Sequence, residues 1–177
     1  PLGHPPFRNS FDGYTSTIQL AKSGRAQLLL QSREPGEYKA KAVTYSDTLR
    51  FDAVLAGKAQ TRIIRIHGPE ELVGFSEEPI VLSGGARLAF DCSREMLLAE
   101  KIDTRLVTLR LLQASARPTP VREYCRATGK LLHRSAGALS SSRRELMTAL
   151  VGRMGRSDGA PVLAELALRE GENSLRW

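Results

Sequence analysis

Arg122, Tyr124 and Arg126 stand two residues apart in a stretch of β character. Strand alternation would put all three on one face, with an aromatic ring between two guanidinium groups. That arrangement suits base stacking and phosphate contact, and Arg143 and Arg144 on a following helix would extend the basic surface. The ordinary reading of the same residues is a solvated, salt-bridged face. Aromatics are only 6% of the chain and no recognised nucleic-acid motif is present, so nucleic-acid binding stands as the alternative, not the leading reading.

Catalytic constellations are scarce. The three histidines, His4, His67 and His133, are far apart in sequence, and His4 adjoins the opening Pro1-Leu2-Gly3, which reads as a protease scar from tag removal. His67 with Glu70 and Glu71 could form a weak metal or acid–base cluster, but Gly68-Pro69 between them reads as a solvated turn. No G-x-S-x-G elbow, CxxC pair, HExxH helix or glycine-rich phosphate loop is present. Cys92 and Cys125 read as free, packed thiols, and Glu77-Glu78 and Glu100 with Asp103 as surface carboxylates. No catalytic residue, metal site or cofactor is assigned.

The 177 residues carry 26 basic and 19 acidic side chains, a formal charge of +7. The arginines are dispersed among the acids, as on a solvated surface, and the excess alone does not select a partner. No run approaches the roughly 18 apolar residues of a membrane span, so a soluble, cytoplasmic protein is expected.

The elements that must position these residues are mostly strands. Residues 16–21 and 26–31 flank Lys22-Ser23-Gly24-Arg25 as a hairpin; residues 38–45 and 49–55 continue the pattern. Residues 61–67 alternate, with Ile64 and Ile66 on one face and a wetter face of Ile63, Arg65 and His67. Residues 79–82 and 86–92 flank Gly84-Gly85 as a second hairpin, and 96–102 and 105–112 read as two further strands. A last hairpin, 121–126 and 130–134, follows Pro118 and Pro120 and belongs at a sheet margin. The rhythm predicts a β-sandwich, jelly roll or cupin-like barrel of short antiparallel strands, and is loosely similar to small jelly rolls and cupins.

Ser142-Arg143-Arg144-Glu145 reads as a capping box that starts a helix bearing Leu146, Met147, Leu150, Val151 and Met154 on one face. Pro161 would open a second helix, closed by Gly171. The segment Gly159-Ala160-Pro161-Val162-Leu163-Ala164-Glu165-Leu166-Ala167-Leu168 with Gly171 and Leu175-Arg176 resembles the second helix and turn of a HEAT-like α-helical repeat, which implies a role in protein contacts. The predicted organisation is a tag remnant and arm at 1–15, a β-rich domain at 16–135 and a helical hairpin at 140–177. The expected function is a non-enzymatic binding or regulatory module, with room for a small-molecule pocket in the β body and a hairpin contacting a partner protein or a second copy. A cupin-like metal enzyme using His67 and His133 is the second alternative.

Overall fold

The computed structural model describes residues 9–137, 139–155, 160, 161, 164 and 165. Eleven strands precede one helix: β1 (Asn9–Phe11), β2 (Thr15–Ser23), β3 (Ala26–Arg33), β4 (Gly36–Glu37), β5 (Ala42–Tyr45), β6 (Thr48–His67), β7 (Gly74–Ser83), β8 (Arg87–Asp91), β9 (Glu95–Ala114), β10 (Val121–Cys125), β11 (Leu131–Ser135) and α1 (Leu139–Arg153). All described strand pairs are antiparallel.

Two 20-residue strands organise the body. β6 and β9 pair along their lengths, and each was expected as two separate strands. Four register shifts between Val54 and Thr61 bend the pair, because each extra residue twists the ladder locally. One half of the bent pair joins β1, β2, β3 and β8 in a front sheet; the other half joins β7 and β4 in a back sheet. At the corner Gly57 adopts φ +97°, and a Cβ there would stand 2.2 Å from the Arg105 carbonyl oxygen.

The expected Gly84-Gly85 hairpin is not one. β7 pairs with Lys58–His67 and β8 with Leu49–Ala53 of the same strand, so the glycines carry the chain round the corner of the bend. Gly85 N donates to the Val54 carbonyl at 2.8 Å, tying the turn to β6. The β2–β3 hairpin and its Gly24 turn, φ +54°, do form.

A third, smaller sheet of order β11–β10–β5 covers the outside of the back sheet. The last hairpin therefore leaves the margin of the main sheet, and β10 is central in a sheet of its own. The β6–β9 part of the back sheet is consequently buried on both faces: Ile63 packs with Val54, Leu82, Leu97, Ile102 and Leu106 inside the roll, while Ile64 packs with Val43, Tyr45, Leu98 and Tyr124 beneath the small sheet. The expected wet face of residues 61–67 keeps Arg65, paired with Glu78 and Glu95, and the exposed His67, but loses Ile63 to the interior. Neither cysteine is bonded, and burial pushes the Cys92 thiol up from its ordinary pKa.

α1 starts at Leu139, three residues before the expected cap, so Ser142 lies within the first turns. Its Leu146, Met147 and Leu150 are exposed, as is Met154 just beyond it, whereas Val151 is half-buried. Of the expected second helix only Ala160, Pro161, Ala164 and Glu165 are described, and they are helical; the rest, with His4 and Trp177, lies outside the described residues. The HEAT-like pairing finds no support, because α1 is the one helix that the described residues define over its length.

Substituting Gly57→Ala should lower unfolding free energy by about 2 kcal/mol or more, combining positive-φ strain with a backbone clash. Gly24→Ala, where nothing lies within 4 Å, should cost about 1 kcal/mol from strain alone. Urea denaturation of the two variants checks the difference.

Candidate functional site

The front sheet is amphipathic in the unexpected sense. Register sets Arg33 opposite Leu106, Gln31 opposite Thr108, and Arg110 of β9 opposite Asp52 of β6. Arg50 lies two residues from Asp52 and so shares its face. All of these side chains except Leu106 are polar, and all line the closed interior of the roll together with Val54, Leu82 and Leu97.

Asp52 is 4% exposed and stands at the centre of this interior. Arg110 Nε and Nη2 donate to its two oxygens at 2.8 and 3.0 Å, a bidentate pair. Arg50 Nε donates at 3.0 and 3.1 Å, and its Nη2 completes a second pair from the same strand. The Arg50 guanidinium also lies 5.4 Å from the Phe90 ring centroid. Burial by itself would raise the Asp52 carboxyl, but the hydrogen bonds from Arg50 and Arg110 reverse that and hold it below the usual carboxylate range. Burial pushes the Arg110 and Arg33 guanidinium groups down, and neighbouring arginines lower both further.

With charge turned inward, alternation turns leucine outward. The opposite face carries Ile18, Leu28, Leu30, Leu109, Leu111, Leu49, Phe51, Ala53 and Leu55 across β2, β3, β9 and β6. Phe51 is 42% exposed, Leu49 45% and Leu55 54%. Leu28, Leu111, Phe51 and Ala89 form one row across four strands, lining a shallow apolar depression of about 510 Å³.

The residues singled out from sequence lie elsewhere. Arg122, Tyr124 and Arg126 face inward, onto the back sheet. Tyr124 is wholly buried, edge-on to Tyr45 with centroids 6.0 Å apart, which corrects the expected stacking platform: its ring is closed to a base. Arg126 bonds to Glu77 and Glu100, joining two carboxylates expected at the surface, and Arg62 ties into the same pair. Arg122 donates to the Ser93 carbonyl at 3.2 Å and lines a polar pocket of about 400 Å³ with His67, Glu70 and Arg94. Arg143 is exposed on α1, and Arg144 shares that helix. His133 sits exposed on β11 opposite Glu123, outside the lining of the His67 pocket.

The Asp52 cluster was legible only as alternation. In Leu49-Arg50-Phe51-Asp52-Ala53 and Leu109-Arg110-Leu111 charged and apolar residues exchange at every step, but the pattern does not say which set points inward.

No protein-family model matches the chain, and no curated protein matches it in sequence. Among solved structures it is similar to the capsular polysaccharide assembling protein CapF from Staphylococcus aureus, with TM-score 0.50 and 14% identity over 75% of this chain and 34% of that one. The chain thus spans about a third of CapF. It is also similar to a cupin superfamily protein from Desulfitobacterium hafniense (TM-score 0.43, 18% identity, 60% and 83% covered) and to Drosophila melanogaster CENP-C, solved bound to CAL1 (TM-score 0.46, 13% identity, 59% and 79% covered). The likeness is one of fold: an antiparallel jelly roll.

A cupin metal centre would need clustered histidine and carboxylate donors. Among the described residues no three His, Cys, Asp or Glu side chains lie together, and the interior sets three guanidinium groups around one carboxylate. Such a cluster repels a cation, so these residues do not fit the metal.

Replacing Asp52 with Asn should destabilise the fold by about 3 kcal/mol, since it leaves buried guanidinium charge without its counter-ion. Because folding depresses the Asp52 pKa, its stabilisation is complete above the unfolded value of about 3.9 and is lost as pH falls through the lower folded value. Urea midpoints taken between about pH 5 and 3 should therefore fall less steeply in Asp52→Asn than in the parent.

Proposed function

We propose that this chain is a non-enzymatic interaction module that pairs with a second copy of itself through the outer face of the front sheet. The observation that supports it is the inverted amphipathicity of β3, β6 and β9: their charged residues point inside, and the outer face of these strands is largely apolar and exposed. Exposed contiguous apolar surface on this scale marks an interaction site.

Five strands at about 4.8 Å spacing and seven residues at about 3.4 Å make a face roughly 24 Å on a side. That is on the order of the ~800 Å² one partner gives to a standard interface. The same patch on both copies satisfies two-fold symmetry, and Leu, Ile and Phe dominate it, with Arg87 at its β8 edge. Leu146, Met147 and Leu150 of α1 offer a separate apolar surface for a protein partner.

Analytical ultracentrifugation should show a dimer at micromolar concentration, and Leu111→Glu or Phe51→Glu should weaken it at least about tenfold by burying a charge at its centre. Both residues are outside the packed interior, so the variants should keep the parent's circular dichroism spectrum and melting temperature. A parent protein that sediments as a monomer, or glutamate variants that still dimerise with parental affinity, would overturn the reading.

A further inference from the structure

Arg50 and Arg110 are both paired with Asp52, but Arg33 has no carboxylate partner among the described residues. Its Nε is buried with no hydrogen-bond acceptor. A buried donor without an acceptor is costly, and a charged one more so. The closed interior behind it leaves about 10 Å³, room for one water at most, so an acceptor of any size must come from the other side.

That side is open. Arg33 also forms the floor of a mouth of about 470 Å³, walled by Tyr14, Tyr38, Lys39, Met96 and Leu98. This is the size of ordinary small-molecule pockets. Tyr14 and Tyr38 meet edge to face, with centroids 6.1 Å apart and planes at 72°. Tyr38 is held by its hydroxyl, which donates to the Glu34 carbonyl at 2.7 Å. The one carboxylate in the mouth, Asp12, accepts from its own loop through Tyr14 N at 3.0 Å and Thr15 N at 2.7 Å.

We propose that this mouth binds a small organic oxyanion, its carboxylate or phosphate group on the Arg33 guanidinium and its body against the Tyr14–Tyr38 pair. The buried charge supports an anion: three guanidinium groups face one buried carboxylate in the interior, while at the rim Lys39 is paired with Glu37 and Asp12 lines the mouth. An oxyanion against the part of the Arg33 guanidinium that lines the mouth offsets the repulsion among Arg33, Arg50 and Arg110. The aromatic walls favour a compact, ring-sized body over an extended chain. This site is on the opposite face of the front sheet from the pairing surface, and the two can be tested separately.

Isothermal titration of the full chain with glucuronate, inorganic phosphate and neutral glucose tests the proposal. Glucuronate or phosphate should bind with an affinity that falls as salt rises, and glucose should give no heat; which anion binds more tightly separates a carboxylate from a phosphate ligand. Arg33→Gln should weaken binding at least about tenfold, because it removes the charge at the floor. Arg33→Lys, which keeps the charge but not the bidentate fork, should lie between the two. Lys39→Gln, at the exposed rim, guards against misfolding of the Arg33 variants and should reduce affinity by a smaller factor. The proposal fails if neither anion binds, if glucose binds as well as glucuronate, or if Arg33→Gln retains parental affinity while remaining folded.

Discussion

The pairing of Asp52 with Arg50 and Arg110 governs the rest of this molecule. Side chains on a strand alternate between faces, so a carboxylate held inside by two guanidinium groups settles where every neighbour on β6 and β9 points. Phe51 and Leu111 are outside because Asp52 and Arg110 are inside. A one-residue slip would exchange the two sets, burying the leucines but stranding the charges in water away from one another. The charged interior is thus a register lock, and its structural consequence is an apolar exterior.

The bend of β6 and β9 gives this lock its setting. Bulges around Gly57 let one strand pair serve two sheets, so that residues from both halves converge on a single interior. The small sheet then covers the outside of the back half, making a second core around Tyr45 and Tyr124. Among the described residues the front half has no such cover, and its outer face is apolar and exposed.

The same geometry accounts for what the arginines of the last hairpin do. Arg126, with Arg62, Glu77 and Glu100, makes a salt-bridge network across the seam between the small sheet and the back sheet. Burial behind the network withdraws Tyr124 from any ligand. Arginine therefore plays two roles here: partly exposed, it stitches sheets together, and in the roll it surrounds a carboxylate and leaves Arg33 facing the mouth.

Composition and rhythm by themselves determined the antiparallel β class, the β2–β3 and β10–β11 hairpins and the start of a helix near residue 140, because turn glycines and apolar periodicity are local properties. The fusion of two pairs of short runs into β6 and β9 was not legible, since Gly57 at a bulge and a glycine at a turn look alike in sequence. Nor was the site. Leu49 to Ala53 alternates perfectly, and the usual assignment sends arginine and aspartate to water. Only the tertiary structure decided otherwise, because burying a charge is favourable only when its counter-ions arrive from distant strands, and that meeting of Asp52 with Arg110, 58 residues away, is written nowhere in the local sequence.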